Sequence, residues 1–225
     1  MSDDKYTMSI TLNVLNHLGI NLYSNIPSVL SEVVANAWDA DASIVNISFD
    51  PEEKTITIID NGCGMSIDDI NNHYLSVGYA KRDNNNGVSP MYGRKYMGRK
   101  GIGKLSMFSI ARKIDVITRK NGELSSFRMN VDDITHAISR KDGGEYHPID
   151  LDIQEDLSIP NEGTKIVLRD LKRNISSASP DYLRKRIARR FSIIGDEYSF
   201  DVYVNGQKVT IDDRDYSFPV WMKEE

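Results

Sequence analysis

The stretch IPSVLSEVVANAWDADASIVNISFDPEEKTITIIDNGCGM, residues 26–65, decides the fold. In Ile26 to Ala40, the apolar residues Leu30, Val33, Val34 and Ala37 recur at helical spacing and make one face of a helix. Ile44–Phe49 and Thr55–Asp60 are alternating, β-branched runs, so two strands follow, with Pro51-Glu52-Glu53-Lys54 as the turn between them. Asn61-Gly62-Cys63-Gly64 breaks the second strand.

Reading outward, Thr11–Leu18 is expected to be a short helix. Ser66–Leu75 is expected to be another, capped by Ser66 and with Asp68 and Asp69 in its first turn. Gly101-Ile102-Gly103 opens an expected helix at Lys104–Ala111. Strands are expected near Lys113–Arg119, Glu123–Val131 and Thr164–Leu171. Pro180 suits the first position of a helix running to Ile194, and Ser199–Val204 with Lys208–Ile211 form a hairpin around Asn205-Gly206. Helices and strands mix without strict alternation, which favours an α+β two-layer sandwich over a doubly wound parallel sheet.

The 225 residues, 40% of them apolar, suffice for one substantial core, and no linker divides them, so residues 1–225 read as one domain. No apolar run approaches the roughly 20 residues that span a bilayer, so no membrane role is expected. Cys63 is the one cysteine, which excludes an intrachain disulfide and makes a reducing cytoplasm the simplest home. Four scattered histidines beside it show no zinc spacing. The net charge of −5 disfavours non-specific nucleic-acid binding by the whole domain, although a local basic surface stays open.

Three segments carry chemistry. Glu32, Asn36 and Asp39 lie at i, i+4 and i+7, along one side of the first helix and away from its apolar face. Magnesium takes hard oxygen ligands and keeps several waters, so the Asn36 oxygen with phosphate oxygens can hold it. Glu32, one turn away, can orient or deprotonate a water. The plain alternative is a solvated polar face. Second, Asp60 shares a strand face with Ile56 and Ile58, and a buried carboxylate needs donors, of which an adenine amine is one. Gly62 and Gly64 let the backbone come close to a flat ring, and Met65 offers a soft contact. The alternative is an ordinary strand-ending turn.

Third, Gly98-Arg-Lys100-Gly101-Ile102-Gly103-Lys104 precedes a helical stretch, where backbone N–H groups favour an anion. Lys81, Arg82, Arg94, Lys95, Arg99, Lys100 and Lys104 put seven cations in or beside residues 81–104, opposed only by Asp83. A triphosphate suits such a lid; a mobile surface loop is the alternative. The P-loop pattern fails at its last position, Leu105, and the dinucleotide fingerprint fails at Ser106.

In this order and spacing the segments resemble the GHKL ATPase superfamily, which includes gyrase, the ninety-kilodalton heat-shock chaperone, histidine kinases and MutL. Each motif is weak alone, but Glu32 to Ala40, Asp60 to Met65, Gly98 to Lys104 and Gly163-Thr164 occur together. The Asn-Ala-x-Asp-Ala ending looks most like MutL, the heat-shock chaperone and the Microrchidia ATPases. The resemblance implies a Bergerat fold with a mixed, largely antiparallel sheet. By motif position, Glu32 resembles the general base, Asn36 the magnesium ligand and Asp60 the adenine acceptor. Gly64 and Met65 resemble the base-side wall, with Asp39 and Gly62 in the same motifs. Lys100, Gly101, Ile102, Gly103 and Lys104 resemble the phosphate lid, and Thr164 the residue supporting Asp60.

The resemblance further implies ATP hydrolysis with magnesium, a nucleotide-dependent homodimer, and a following domain, so the chain is expected to be an N-terminal part of a longer protein. A non-hydrolysing ATP sensor and a histidine-kinase catalytic domain are the competing readings. The basic helix Pro180–Ile194 is expected to be a solvated face more than a nucleic-acid contact.

Overall fold

The computed structural model describes residues 5–8, 26–76, 87–98, 103–138, 145–172 and 180–214, and of residues 103–105, 138 and 196 the backbone only. The expected helix at Thr11–Leu18 lies outside them.

Helix α1 (Ile26–Asp39) packs its buried residues on one face of an eight-stranded sheet. The strands are β1 (Ile44–Asp50), β2 (Thr55–Asp60), β3 (Ala111–Lys120), β4 (Glu123–Asn130), β5 (Ile149–Asp150), β6 (Gly163–Leu171), β7 (Asp201–Val204) and β8 (Gln207–Lys208). Their order is β5-β4-β3-β6-β2-β1-β7-β8, antiparallel throughout except for the parallel β1–β7 pair. The layers are those of an α+β two-layer sandwich with the Bergerat arrangement.

The strand register explains both the core and its polar edge. Phe49, Ile56, Leu168, Ile114 and Met129 form one rung across β1, β2, β6, β3 and β4. The next rung is Ile47, Ile58, Ile166, Val116 and Phe127, also wholly apolar. Side chains two residues apart share a face, so the following rung should be apolar too. It is instead Val45, Asp60, Thr164, Thr118 and Ser125, and its four polar members are all buried. A polar rung under the helices is costly unless every group finds a partner.

Several local elements differ from the sequence expectation. Ser66 caps a short α2 (Ile67–Asp69) through a reciprocal capping box with Asp69, but the helix widens at once into a π-turn at Ile70–Tyr74. Burial pushes the Asp69 carboxyl up, yet Lys120 at 2.7 Å and Ser66 outweigh it and hold the carboxyl down at about 2, tying α2 to the β3–β4 turn. Residues 103–109 form a 3₁₀ helix, not an α-helix, and Ala111 already belongs to β3. Helix α3 (Val131–Ile138) was not expected. Val131 belongs to it and not to a strand, and Asn130 Oδ1 accepts from the Asp132 amide at its start. Helix α4 (Pro180–Arg190) stops four residues short of Ile194; Arg214 caps it by donating to the Ala188 and Phe191 carbonyls.

Candidate nucleotide site

Helix α1 ends in a Schellman-type turn. Asp41 N–H reaches the Trp38 carbonyl at 3.1 Å and Ala42 N–H reaches Ala37 at 3.0 Å, with Asp41 at φ 59. The usual residue here is glycine, so an aspartate implies compensation. Asp41 supplies it by accepting from Ser89 Oγ at 2.5 Å, Met91 N–H at 2.8 Å and Tyr92 N–H at 3.2 Å. Two residues back, buried Asp39 accepts from the Met97 and Gly98 amides at 2.7 and 3.0 Å. Trp38 Nε1 donates to the Lys95 carbonyl at 3.1 Å. Residues 87–98 are therefore docked on the end of α1, not free of it.

This docking corrects the reading of the cation cluster. Arg94 is 6% exposed, its guanidinium lies 4.2 Å from the Trp38 ring and 4.5 Å from the Tyr92 ring, and it donates to the carbonyls of Ala42 and Ser199. A cation so enclosed is a structural pin and is withdrawn from the set facing an anion. Asp39→Ala should cost about 2–4 kcal/mol, because two amides lose a charged acceptor. Hydrogen exchange checks this: the Met97 and Gly98 amides should exchange far faster than the global loss of stability explains. Protection unchanged at both amides would show that Asp39 does not hold the segment.

Along α1, Ser28, Glu32, Ala35 and Asn36 form the part-exposed stripe, while Asp39 turns inward. Asn36 faces the docked segment: a Cβ built on Gly98 would stand 3.9 Å from Asn36 Oδ1 and 2.8 Å from Asp39 Oδ2. Glu32 Oε1 lies 3.0 Å from Arg190 on α4.

At the same end of α1 the first glycine motif folds back under the helix. Cys63 N–H donates to Ala40 at 2.8 Å, and a Cβ on Gly62 would meet the Ala40 carbonyl at 2.7 Å. Asp60 Oδ1 accepts from Gly62 N–H at 2.9 Å. Burial pushes the Asp60 carboxyl up to about 6, against the lowering by the Gly62 and Thr164 backbone amides. A carboxylate can accept about four hydrogen bonds. Two backbone donors do not offset its burial, so the group suits a further donor such as an exocyclic amine.

Thr118 completes the cluster, and sequence reading missed it. Its Oγ accepts from Met65 N–H at 2.9 Å, donates to the Gly163 carbonyl at 3.0 Å and lies 3.1 Å from Thr164 Oγ. The signal was present: Ile114, Val116 and Thr118 alternate on one strand face, as Ile56, Ile58 and Asp60 do. Gly163 has φ 148, and a Cβ there would stand 2.2 Å from the Asp60 carbonyl.

The structure thus brings together Asp60, Gly62, Gly64, Met65 and Thr164 at one end of α1, and Asn36 and Asp39 with Gly98 beside it. Gly103 and Lys104 start the 3₁₀ helix, whose packing partner is α1, but their side chains lie outside the description. Lys100, Gly101 and Ile102 lie outside the described residues. Among the described residues no group of three His, Cys, Asp or Glu is arranged to hold a metal, and no helix is long and apolar enough to cross a membrane. The single part-exposed carboxamide of Asn36 fits the magnesium that accompanies a triphosphate, which needs few protein ligands.

Comparison with known proteins agrees with this geometry. Residues 23–163 match the family described as Histidine kinase-, DNA gyrase B-, and HSP90-like ATPase. The chain is 46% identical over 216 residues, 96% of its length, to a Herpetosiphon aurantiacus protein named "Putative type II restriction enzyme HgiDII". It is 35% identical over 144 residues, 53% of its length, to the Chaperone protein HtpG of Helicobacter pylori. It is 29% identical over 218 residues, 85% of its length, to the Chaperone protein HtpG of Chromobacterium violaceum. The matched parts cover 34%, 23% and 32% of those relatives, so the chain spans about a third of their length or less. With Asp60, Asn36, the first glycine motif and Gly98 assembled around the end of α1, and the family matched over residues 23–163, the chain belongs to the histidine kinase-, DNA gyrase B- and HSP90-like ATPases and is a GHKL-type ATPase domain.

Proposed function

We propose that this domain binds ATP with magnesium and hydrolyses it, with Asp60 accepting the adenine amine, Asn36 holding the metal and Glu32 acting as general base. The observation that carries the reading is the buried polar rung of Asp60, Thr164 and Thr118 at the end of a helix whose part-exposed stripe presents Glu32 and Asn36. Magnesium would neutralise phosphate charge. The chain's own groups do the rest. Asp60 selects and orients the base. Gly62 and Gly64 keep the backbone close to it. Lys100, Gly101, Ile102, Gly103 and Lys104 cover the phosphates as part of a lid across residues 81–104. Asp39 and Asp41 fix residues 89–98 of that segment to α1.

Lid closure is proposed to couple ATP binding to homodimerisation and to parts of a longer protein, a reading supported by relatives that extend well beyond the matched region. Of the two settings those relatives suggest, DNA restriction is favoured over chaperoning by 46% identity across 96% of the chain. Stimulation of turnover by duplex DNA, and not by unfolded protein, would support that setting.

Glu32→Gln tests the enzyme reading. Phosphate release should fall by about 100-fold or more, the usual contribution of a general base, while ATP affinity is retained. Equal turnover in parent and variant would remove Glu32 from the chemistry. Nucleotide binding with no phosphate release from the parent would favour the ATP sensor instead.

A further inference from the structure

Several described charges outside the nucleotide cluster form ion pairs, and one pair reaches the proposed base. Arg190 sits in the last turn of α4 and places its guanidinium 3.0 Å from Glu32 Oε1. We propose that Arg190 is a positioning residue that restrains Glu32 and holds ATP turnover down until α4 shifts. The inference rests on the assignment of Glu32 as base.

The geometry favours restraint over assistance. Arg190 draws the Glu32 carboxylate towards α4, whereas Asn36, one turn along α1, faces Gly98 and the docked segment. A carboxylate oxygen engaged by a guanidinium is not presented to a water, and its rotation towards the phosphate end requires the contact to break. The Arg190 side chain is 48% exposed and that of Glu32 is 21% exposed. The contact is therefore weak enough to open, as half-exposed ion pairs are.

What sets the position of α4 gives the restraint its control. Arg184 on the same helix pairs with Asp213 at 3.3 Å and also donates to Gln207. Arg214 donates to the Ala188 and Phe191 carbonyls at 3.0 Å each, on either side of Arg190. Residues 207–214 thus grip the helix whose last turn grips Glu32. A partner or domain that pulls on 207–214 moves Arg190, and through it the base.

The test is a cycle of parent, Arg190→Ala, Glu32→Gln and the double variant, with Arg190→Lys as the conservative control, all in the full chain. Phosphate release and calorimetric ATP binding are measured on each. Arg190→Ala should raise kcat roughly two- to fivefold, the scale of a half-exposed ion pair, with KM and ATP affinity unchanged. Arg190→Lys should stay near the parent, and the gain should vanish in the Glu32→Gln background. Enzyme concentration is raised until release by the parent is measurable, so that the ratio of the two rates is read directly. Unchanged or slower turnover in Arg190→Ala with intact ATP binding overturns the proposal. A gain that persists in the Glu32→Gln background overturns it too, because the effect then does not pass through Glu32. Equal release by parent and Glu32→Gln shows a different failure, that of the base assignment, and removes the proposal with it.

Discussion

Asp60→Asn is expected to make the domain harder to unfold at pH 8 while removing its hold on ATP. The folded carboxyl titrates at about 6 and the unfolded one near 3.8, because burial opposes the charge. A raised folded value gives stability that is complete below the unfolded value and lost as pH rises through the folded one. The pH window of the loss is therefore 4 to 6. Above it the parent carries a penalty of about 3 kcal/mol. A neutral asparagine avoids that penalty and can still accept from Gly62. Urea denaturation of both proteins at pH 8 and pH 4.5 checks this: the variant should gain about 2–3 kcal/mol at the higher pH and about 1 kcal/mol at the lower. An equal difference at both values would mean that Asp60 carries no buried charge.

The same change should weaken ATP binding by about 100-fold or more, because asparagine has one acceptor oxygen where aspartate has two. If that oxygen serves Gly62, the amide's own donors face the adenine amine; if it serves the amine, Gly62 faces a donor. The carboxylate is thus held at a cost in stability that the proposed binding role explains, the pattern expected where function and folding compete for one residue.

Gly64→Ala should be the most damaging single methyl in the described structure. Its φ is +60, and a Cβ there would stand 2.0 Å from the Arg119 carbonyl. That carbonyl cannot retreat, because Arg119 pairs with Gly163 in the β3–β6 ladder and its side chain donates to the Ile159 and Asp156 carbonyls. Backbone strain and overpacking together should cost about 4 kcal/mol. Gly206→Ala is the control: its φ is +77, but no heavy atom lies within 4 Å of the added Cβ. It should cost about 1 kcal/mol, the conformational part alone. Thermal unfolding of both variants separates the two terms. Equal losses would mean that the Arg119 contact is not tight. Gly64→Ala should also disturb Met65, whose amide is bonded to Thr118, and so weaken nucleotide binding beyond its effect on folding.

Much of this was legible from short-range patterns. Helix α1 and strands β1, β2 and β6 announced themselves through periodicity, and the glycine motifs through spacing. The losses have physical causes. Thr118 was overlooked because a threonine is an ordinary strand residue until its register with Thr164 and Asp60 is known, and register is a long-range property. Helix α3 was masked by β-branched Val131, although Asn130, Asp132 and Asp133 marked its start. Arg94 was counted with the phosphate-facing cations because charge is visible in a sequence and burial is not; its aromatic neighbours come from residues 38, 92 and 200. Arg190 looked like one charge on a basic helix, and only the packing of α4 beside α1 brings it to Glu32.

The central claim is that Asp60 reads the exocyclic amine of adenine. Calorimetric competition between ATP and inosine triphosphate, which carries an oxygen where adenine carries that amine, tests it most directly. The parent should prefer ATP by about 100-fold or more, since inosine would set its oxygen against a buried carboxylate. Equal affinity for the two nucleotides would contradict the assignment of Asp60 and, with it, the orientation proposed for ATP in the site.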